Sequence, residues 1–113
     1  MKQVFFVPER GDVIMISPAA SDRKSGAGRR PALVLSPQAY NARVGLALVC
    51  PITPLITGYP FEVALPAGLP VAGVILADQA SGLDWRAHRA EHLCAAPSPV
   101  VEEVLGKLRA LLS

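Results

Sequence analysis

Short apolar runs, cut at close intervals by proline and glycine and followed by one amphipathic helix, predict a mainly β domain: a small antiparallel barrel or curled sheet with a C-terminal helix. Three observations carry this expectation. Eleven prolines and nine glycines are spread through 113 residues, so each apolar run meets a turn former within a few positions. The runs are rich in valine, isoleucine and leucine, which suits strands. Helical spacing of apolar residues is clear only near the end of the chain.

The first strand is expected over Asp12-Val13-Ile14-Met15-Ile16-Ser17, entered through the turn Arg10-Gly11-Asp12. Ser17 to Gly28 holds almost no large apolar residue and reads as an exposed loop, a candidate lid. Pro31 ends that loop. Ala32 to Ser36 follows as a central strand, apolar on both faces, and Pro37 to Asn41 turns the chain. Val44 to Cys50 is the next strand; Pro51-Ile52-Thr53-Pro54 is expected to stop it, since proline cannot donate to a ladder, leaving Thr53 at its end.

After the loop Leu55 to Pro60, Phe61, Val63 and Leu65 alternate as one face of a half-buried strand. Pro66 to Pro70 turns again, and Gly73 to Ala77 runs as an apolar strand into Asp78 and Gln79 at its exit. Trp85 to Cys94 fits a last strand better than a short helix. In the closing segment Ser98 is the expected N-cap, with Pro99 at the first helical position, Glu102 and Glu103 in the first turn, and Lys107 and Arg109 toward the other end. Val101, Val104, Leu105, Leu108, Leu111 and Leu112 form its apolar stripe.

The length fits a single domain over residues 1–113, and 51% hydrophobic residues exceeds what so small a domain buries, which predicts a partner chain. No run approaches a membrane span and Val4 to Val7 is too short for a signal core, so a cytoplasmic protein is expected, with Cys50 and Cys94 as reduced thiols. The net charge is only +2, yet Arg23, Lys24, Arg29 and Arg30 supply four of the eleven basic residues in one short stretch. That cluster is either a solvated loop or an anion-binding mouth.

Arg30, Thr53 and Asp78 are polar residues each at the end of an apolar strand, and strand ends can converge on one rim. They would supply a cation for a phosphate, a hydroxyl to orient its oxygen and a carboxylate for proton transfer. Turn chemistry is the simpler explanation of them from composition alone. His88 is a residue type suited to proton transfer but reads more simply as surface structure. His88, His92 and Cys94 would share a strand face, but without a paired Cys-x-x-Cys they make no persuasive zinc site, and no metal or cofactor is expected. Trp85 is either a platform for a base or a core residue; Arg86 and Arg89 either meet phosphates or solvate the rim.

Nearly the whole chain, in one order, resembles the MazF/PemK family of toxin endoribonucleases. The carriers are Arg10-Gly11-Asp12, Gly28 through Pro37, Tyr40-Asn41, Pro51-Ile52-Thr53, Gly58 through Val63, Gly73 through Gln79, and Trp85-Arg86-Ala87. The resemblance implies a CcdB/PemK-like barrel related to SH3 folds, a homodimer, and metal-independent cleavage of single-stranded RNA. It further implies a MazE-like antitoxin whose acidic tail fills the RNA groove, with operator DNA bound only through the toxin–antitoxin complex. Arg30 and Thr53 match the family's catalytic pair and Asp78 an aspartate of the PemK branch. Arg23, Lys24, Arg29, Gln79, Trp85 and Arg86 are the expected RNA contacts. The chain departs from some relatives at Ser25 and Gly26, where they carry an acidic residue, and at Leu76, where the PemK branch has arginine.

In such a reaction the RNA 2′-hydroxyl attacks the adjacent phosphorus and a cyclic phosphate is left. Arg30 stays protonated at ordinary pH, so it would stabilise charge without serving as a simple base. Two rival readings are a gyrase-poisoning CcdB-like toxin, which needs a tryptophan near the carboxyl end where this chain has Leu111-Leu112-Ser113, and a non-catalytic RNA-binding barrel.

Overall fold

The computed structural model describes residues 6–18 and 28–113. Seven strands form one antiparallel system: β1 (Asp12–Ile16), β2 (Arg30–Val34), β3 (Ala47–Thr53), β4 (Glu62–Ala64), β5 (Val74–Leu76), β6 (Ser81–Leu83) and β7 (Glu91–Ala95). Their order is β4-β5-β3-β2-β1-β7, with β6 on β3. Helix α1 (Gln38–Val44) joins β2 to β3, and α2 (Ser98–Leu112) closes the chain. The mainly antiparallel sheet with its C-terminal helix is the architecture expected from the sequence.

The doubly apolar strands have a simple cause. Val13, Leu33 and Cys50 enter one core with Ile52, Val63, Ile75, Ala77, Val101 and Val104. Their neighbours Ile14, Ala32, Val34 and Val49 enter a second core with Ala47 and Trp85. A side chain alternates faces at each residue, so strands serving two cores must be apolar throughout. Helix α2 belongs to the first core through Val101 and Val104, each worth about 2 kcal/mol when fully buried.

Several expectations are corrected. Pro37 to Asn41 does not simply turn the chain: Gln38–Val44 is helical, stopped by Gly45 in the left-handed conformation (φ 81°), whose N–H donates to the Asn41 carbonyl. Pro51 does not stop β3, which continues to Thr53. On one side β3 pairs first with β6 (Ala47 to Val49) and then with β5 (Ile52 and Thr53), so Pro51 stands at the step between partners, where the missing donor costs least. Trp85 to Cys94 is a strand only in its second half, Glu91–Ala95. The preceding chain turns: His88 N–H donates to the Asp84 carbonyl, Ala87 N–H to the Asp84 carboxylate and Ala90 N–H to the Trp85 carbonyl.

In α2, Pro97 is the cap and Ser98 the first helical residue, which leaves Glu102 and Glu103 beyond the first turn. The apolar stripe is buried at Val101 and Val104, half-buried at Leu105 and Leu108, and open at Leu111 and Leu112. Cys50 and Cys94 are free thiols; burial, aided by the Asp78 charge, pushes Cys50 up to about 11. Among the described residues no helix is long and apolar enough to cross a membrane.

Candidate functional site

The ends of β1, β2 and β3 and the start of β6 surround a groove of about 630 Å³. Its floor includes Ala32, Val49 and Pro51, and its rim carries Arg29, Arg30, Thr53, Gln79 and Ser81. Arg30 opens β2 opposite Ile16 of β1, and Ala32 pairs with Pro51 of β3 two residues before Thr53. Two adjacent antiparallel strands therefore bring Arg30 and Thr53 to one cavity. Arg30 is exposed and Thr53 half-buried, so an anion could meet both without displacing the core.

Thr53 is held by its surroundings. Its hydroxyl accepts the Leu55 N–H at 3.2 Å, and its backbone lies against Gly73. A Cβ on Gly73 would stand 2.1 Å from the Thr53 carbonyl oxygen, and φ there is +122°, so only glycine fits. Gly73→Ala is expected to cost about 3 kcal/mol in a urea melt, since both the collision and the backbone conformation oppose it. An unchanged midpoint would contradict this close approach.

Arg29 lines the same groove while pairing with Glu91 at 3.1 Å across an exposed surface. Gln79 also lines it. Asp78 does not. The 3₁₀ turn over Ala77–Gln79 sends alternate side chains apart, and Asp78 Oδ2 accepts the Tyr59 hydroxyl at 2.8 Å while Oδ1 is enclosed without a partner. The sequence grouped Arg30, Thr53 and Asp78 on one rim; the structure brings together the first two and turns the third away.

Trp85 is 3% exposed and its indole N–H donates to the Asn41 carbonyl at 3.1 Å, so it is a core residue here and not an open platform. The exposed Arg86 guanidinium covers its ring at 4.7 Å. Phe6, Trp85, Arg86, Arg89 and Ala90 border a separate hollow of about 530 Å³, away from Arg30 and Thr53. The His88 ring nitrogen Nδ1 is 2.9 Å from the Ser17 carbonyl, and His92 Nε2 is 3.4 Å from Asp12. His88 sits on the turn and His92 on β7, so the shared face with Cys94 is not formed, and no cluster of metal-binding side chains occurs among the described residues. Arg23, Lys24 and most of the expected lid lie outside the described residues.

Sequence reasoning met Asn41 only as part of the family pattern and missed its buried role. It is fully buried beneath the second core: its amide donates to the carbonyls of Pro8 (2.8 Å) and Ser36 (3.0 Å), and its oxygen accepts the Ser36 hydroxyl. That hydroxyl in turn accepts the Leu48 N–H. No periodic signal could have found it, because Asn41 is the one buried residue of α1.

In this small antiparallel β domain with a C-terminal helix, an arginine and a threonine from neighbouring strand ends line one open groove. Residues 9–112 match the family described as PemK-like, MazF-like toxin of type II toxin-antitoxin system. The chain is 37% identical over 107 residues to the endoribonuclease toxin MazF of Escherichia coli K12, covering 95% of this chain and 96% of that protein. It is 30% identical to the endoribonuclease PemK of Escherichia coli, over 93% and 82% of the two chains. A crystal structure of a MazE–MazF complex from Deinococcus radiodurans superposes with a TM-score of 0.87 at 51% identity, covering 96% and 98%. The chain belongs to the PemK-like, MazF-like toxins of type II toxin–antitoxin systems.

Proposed function

We propose that this protein is the endoribonuclease toxin of a toxin–antitoxin pair, cutting single-stranded RNA without metal and so arresting translation and growth. The observation that carries the reading is the meeting of Arg30 and Thr53 on one groove in a chain of this family. Bound there, the scissile phosphate places its non-bridging oxygens against the Arg30 guanidinium, whose planar fork can hold two of them. The Thr53 hydroxyl orients one oxygen so that the 2′-oxygen lies in line with the departing 5′-oxygen. Charge then grows on the phosphorane oxygens, where Arg30 holds it most strongly. Arg29 and Gln79 serve the flanking backbone and bases.

The working unit is proposed to be a homodimer in the cytoplasm, restrained by a MazE-like antitoxin and reaching operator DNA only through that complex. Exposed Tyr40 and Val44 on α1, Leu46 in the link that follows and Leu48 on β3 supply apolar surface for a second chain. Purified protein is expected to cut a long mixed-sequence RNA in EDTA, leave the matching DNA intact, and produce ends carrying a 2′,3′-cyclic phosphate. Cutting that requires added metal, or intact RNA after incubation with antitoxin-free protein, would overturn the proposal.

A further inference from the structure

The loop between β3 and β4 leaves directly from Thr53, and its first residue, Pro54, still lines the groove. Beyond it Leu55, Ile56 and Tyr59 are 69%, 67% and 47% exposed. Such apolar side chains on a free loop would ordinarily fold back on the surface. This loop is instead fastened at several points. The Glu62 carboxylate accepts three donors from it: Thr57 N–H at 3.1 Å, the Thr57 hydroxyl at 2.7 Å and Gly58 N–H at 3.0 Å. Those bonds, the Thr57 hydroxyl first, hold Glu62 below the usual carboxylate range. Lys107 of α2 donates to the Pro60 carbonyl. The Tyr59 hydroxyl donates to Asp78 at 2.8 Å, which raises the phenol's pKa.

Asp78 is not among the residues that line the groove; its Oδ2 is engaged by Tyr59 and its Oδ1 is enclosed, so the carboxylate is held on the loop's side. A general base must reach the proton it removes, within hydrogen-bond distance or through one water. We propose that Asp78 is a positioning residue and not the proton acceptor: through Tyr59, and together with Glu62, it holds the Leu55–Pro60 loop as a rigid apolar wall that selects the nucleobase next to the phosphate held by Arg30 and Thr53. A base packing against Leu55 and Ile56 gains contact area in proportion to its fit, and a wall that does not move makes fit discriminate between bases. This inference rests on the RNA-cleaving reading of the groove.

The test compares Tyr59→Phe, Asp78→Asn, the double variant and Glu62→Gln. The products of a mixed RNA pool are mapped by end sequencing, and kcat and KM are measured against pH on one cleaved oligonucleotide. Tyr59→Phe is a safe fold probe because its hydroxyl lies at the surface. The expected result is a broadened base preference and a KM raised about 2- to 10-fold in Tyr59→Phe, the scale of one lost hydrogen bond. Asp78→Asn shifts the preference in the same sense, the double variant is no worse than the more affected single one, and the pH profile of kcat keeps its acid limb. A fall in kcat of roughly 100-fold or more in Asp78→Asn with that limb lost, beside an unaltered Tyr59→Phe, would show a general base and overturn the proposal. Amide hydrogen exchange at Thr57 and Gly58 gives a second readout: faster exchange in Tyr59→Phe supports the latch, and unchanged exchange refutes it. If the wild-type protein cuts no RNA, the proposed function fails by itself, and the exchange result still decides whether Asp78 holds the loop.

Discussion

Arg30→Ala is expected to slow RNA cleavage by roughly 100- to 1,000-fold in kcat, the usual loss when one preorganised donor to a developing oxyanion is removed. Folding should hardly change, since Arg30 is exposed at the first position of β2 and its strand register is a backbone matter. Single-turnover cleavage beside a thermal melt separates the two. Arg30→Lys keeps the charge but loses the fork, so it should recover only part of the rate. The neighbouring Arg29→Ala is the informative contrast: Arg29 lines the same groove but shares its charge with Glu91. It should weaken RNA binding, lower the slope of log affinity against log salt by ~0.7, and leave the chemical step in place. Equal kcat losses at both positions would contradict the assignment of the scissile phosphate to Arg30.

The second large effect is on stability. Asn41→Leu removes an amide that serves the Pro8 and Ser36 carbonyls and the Ser36 hydroxyl, all in a buried setting. Leucine fills similar space but satisfies none of them, and each stranded polar group costs about 1 to 3 kcal/mol. A loss of about 3 kcal/mol or more is expected by urea unfolding, enough to endanger a domain of this size. Ser36→Ala should cost less: it strands the Leu48 N–H and the Asn41 side-chain oxygen but leaves the Asn41 amide bonds to Pro8 and to the Ser36 backbone. An Asn41→Leu variant as stable as the parent would mean that water or a rearranged loop replaces those bonds.

The strand ends were legible because proline and glycine mark them locally. Arg30 precedes Pro31 and Thr53 precedes Pro54, and both indeed stand where strands meet the groove. Pro51 misled, since whether a missing N–H interrupts a strand depends on which neighbour faces it, and that is a property of the assembled sheet. Asp78 misled for a related reason. Polarity at a strand exit says nothing about the rotation imposed by the tight turn that follows, and this rotation decides that Gln79 and not Asp78 faces the cavity. Trp85 could have been core or platform on sequence grounds, and only the position of the Asn41 carbonyl settles which. Asn41 itself is invisible to periodicity, because its value lies in carbonyls 5 and 33 residues away along the chain.

The groove is lined by residues scattered from Ile16 to Leu83, and β3 must find partners on both flanks before its walls exist. A growing chain on the ribosome therefore carries no working site while its first half emerges. At ordinary elongation rates of about 5 to 20 residues per second, several seconds separate the appearance of the first lining residue from the last. The groove is in this sense absent during most of the chain's own synthesis, and nothing can occupy it until residues as far as Leu83 have emerged.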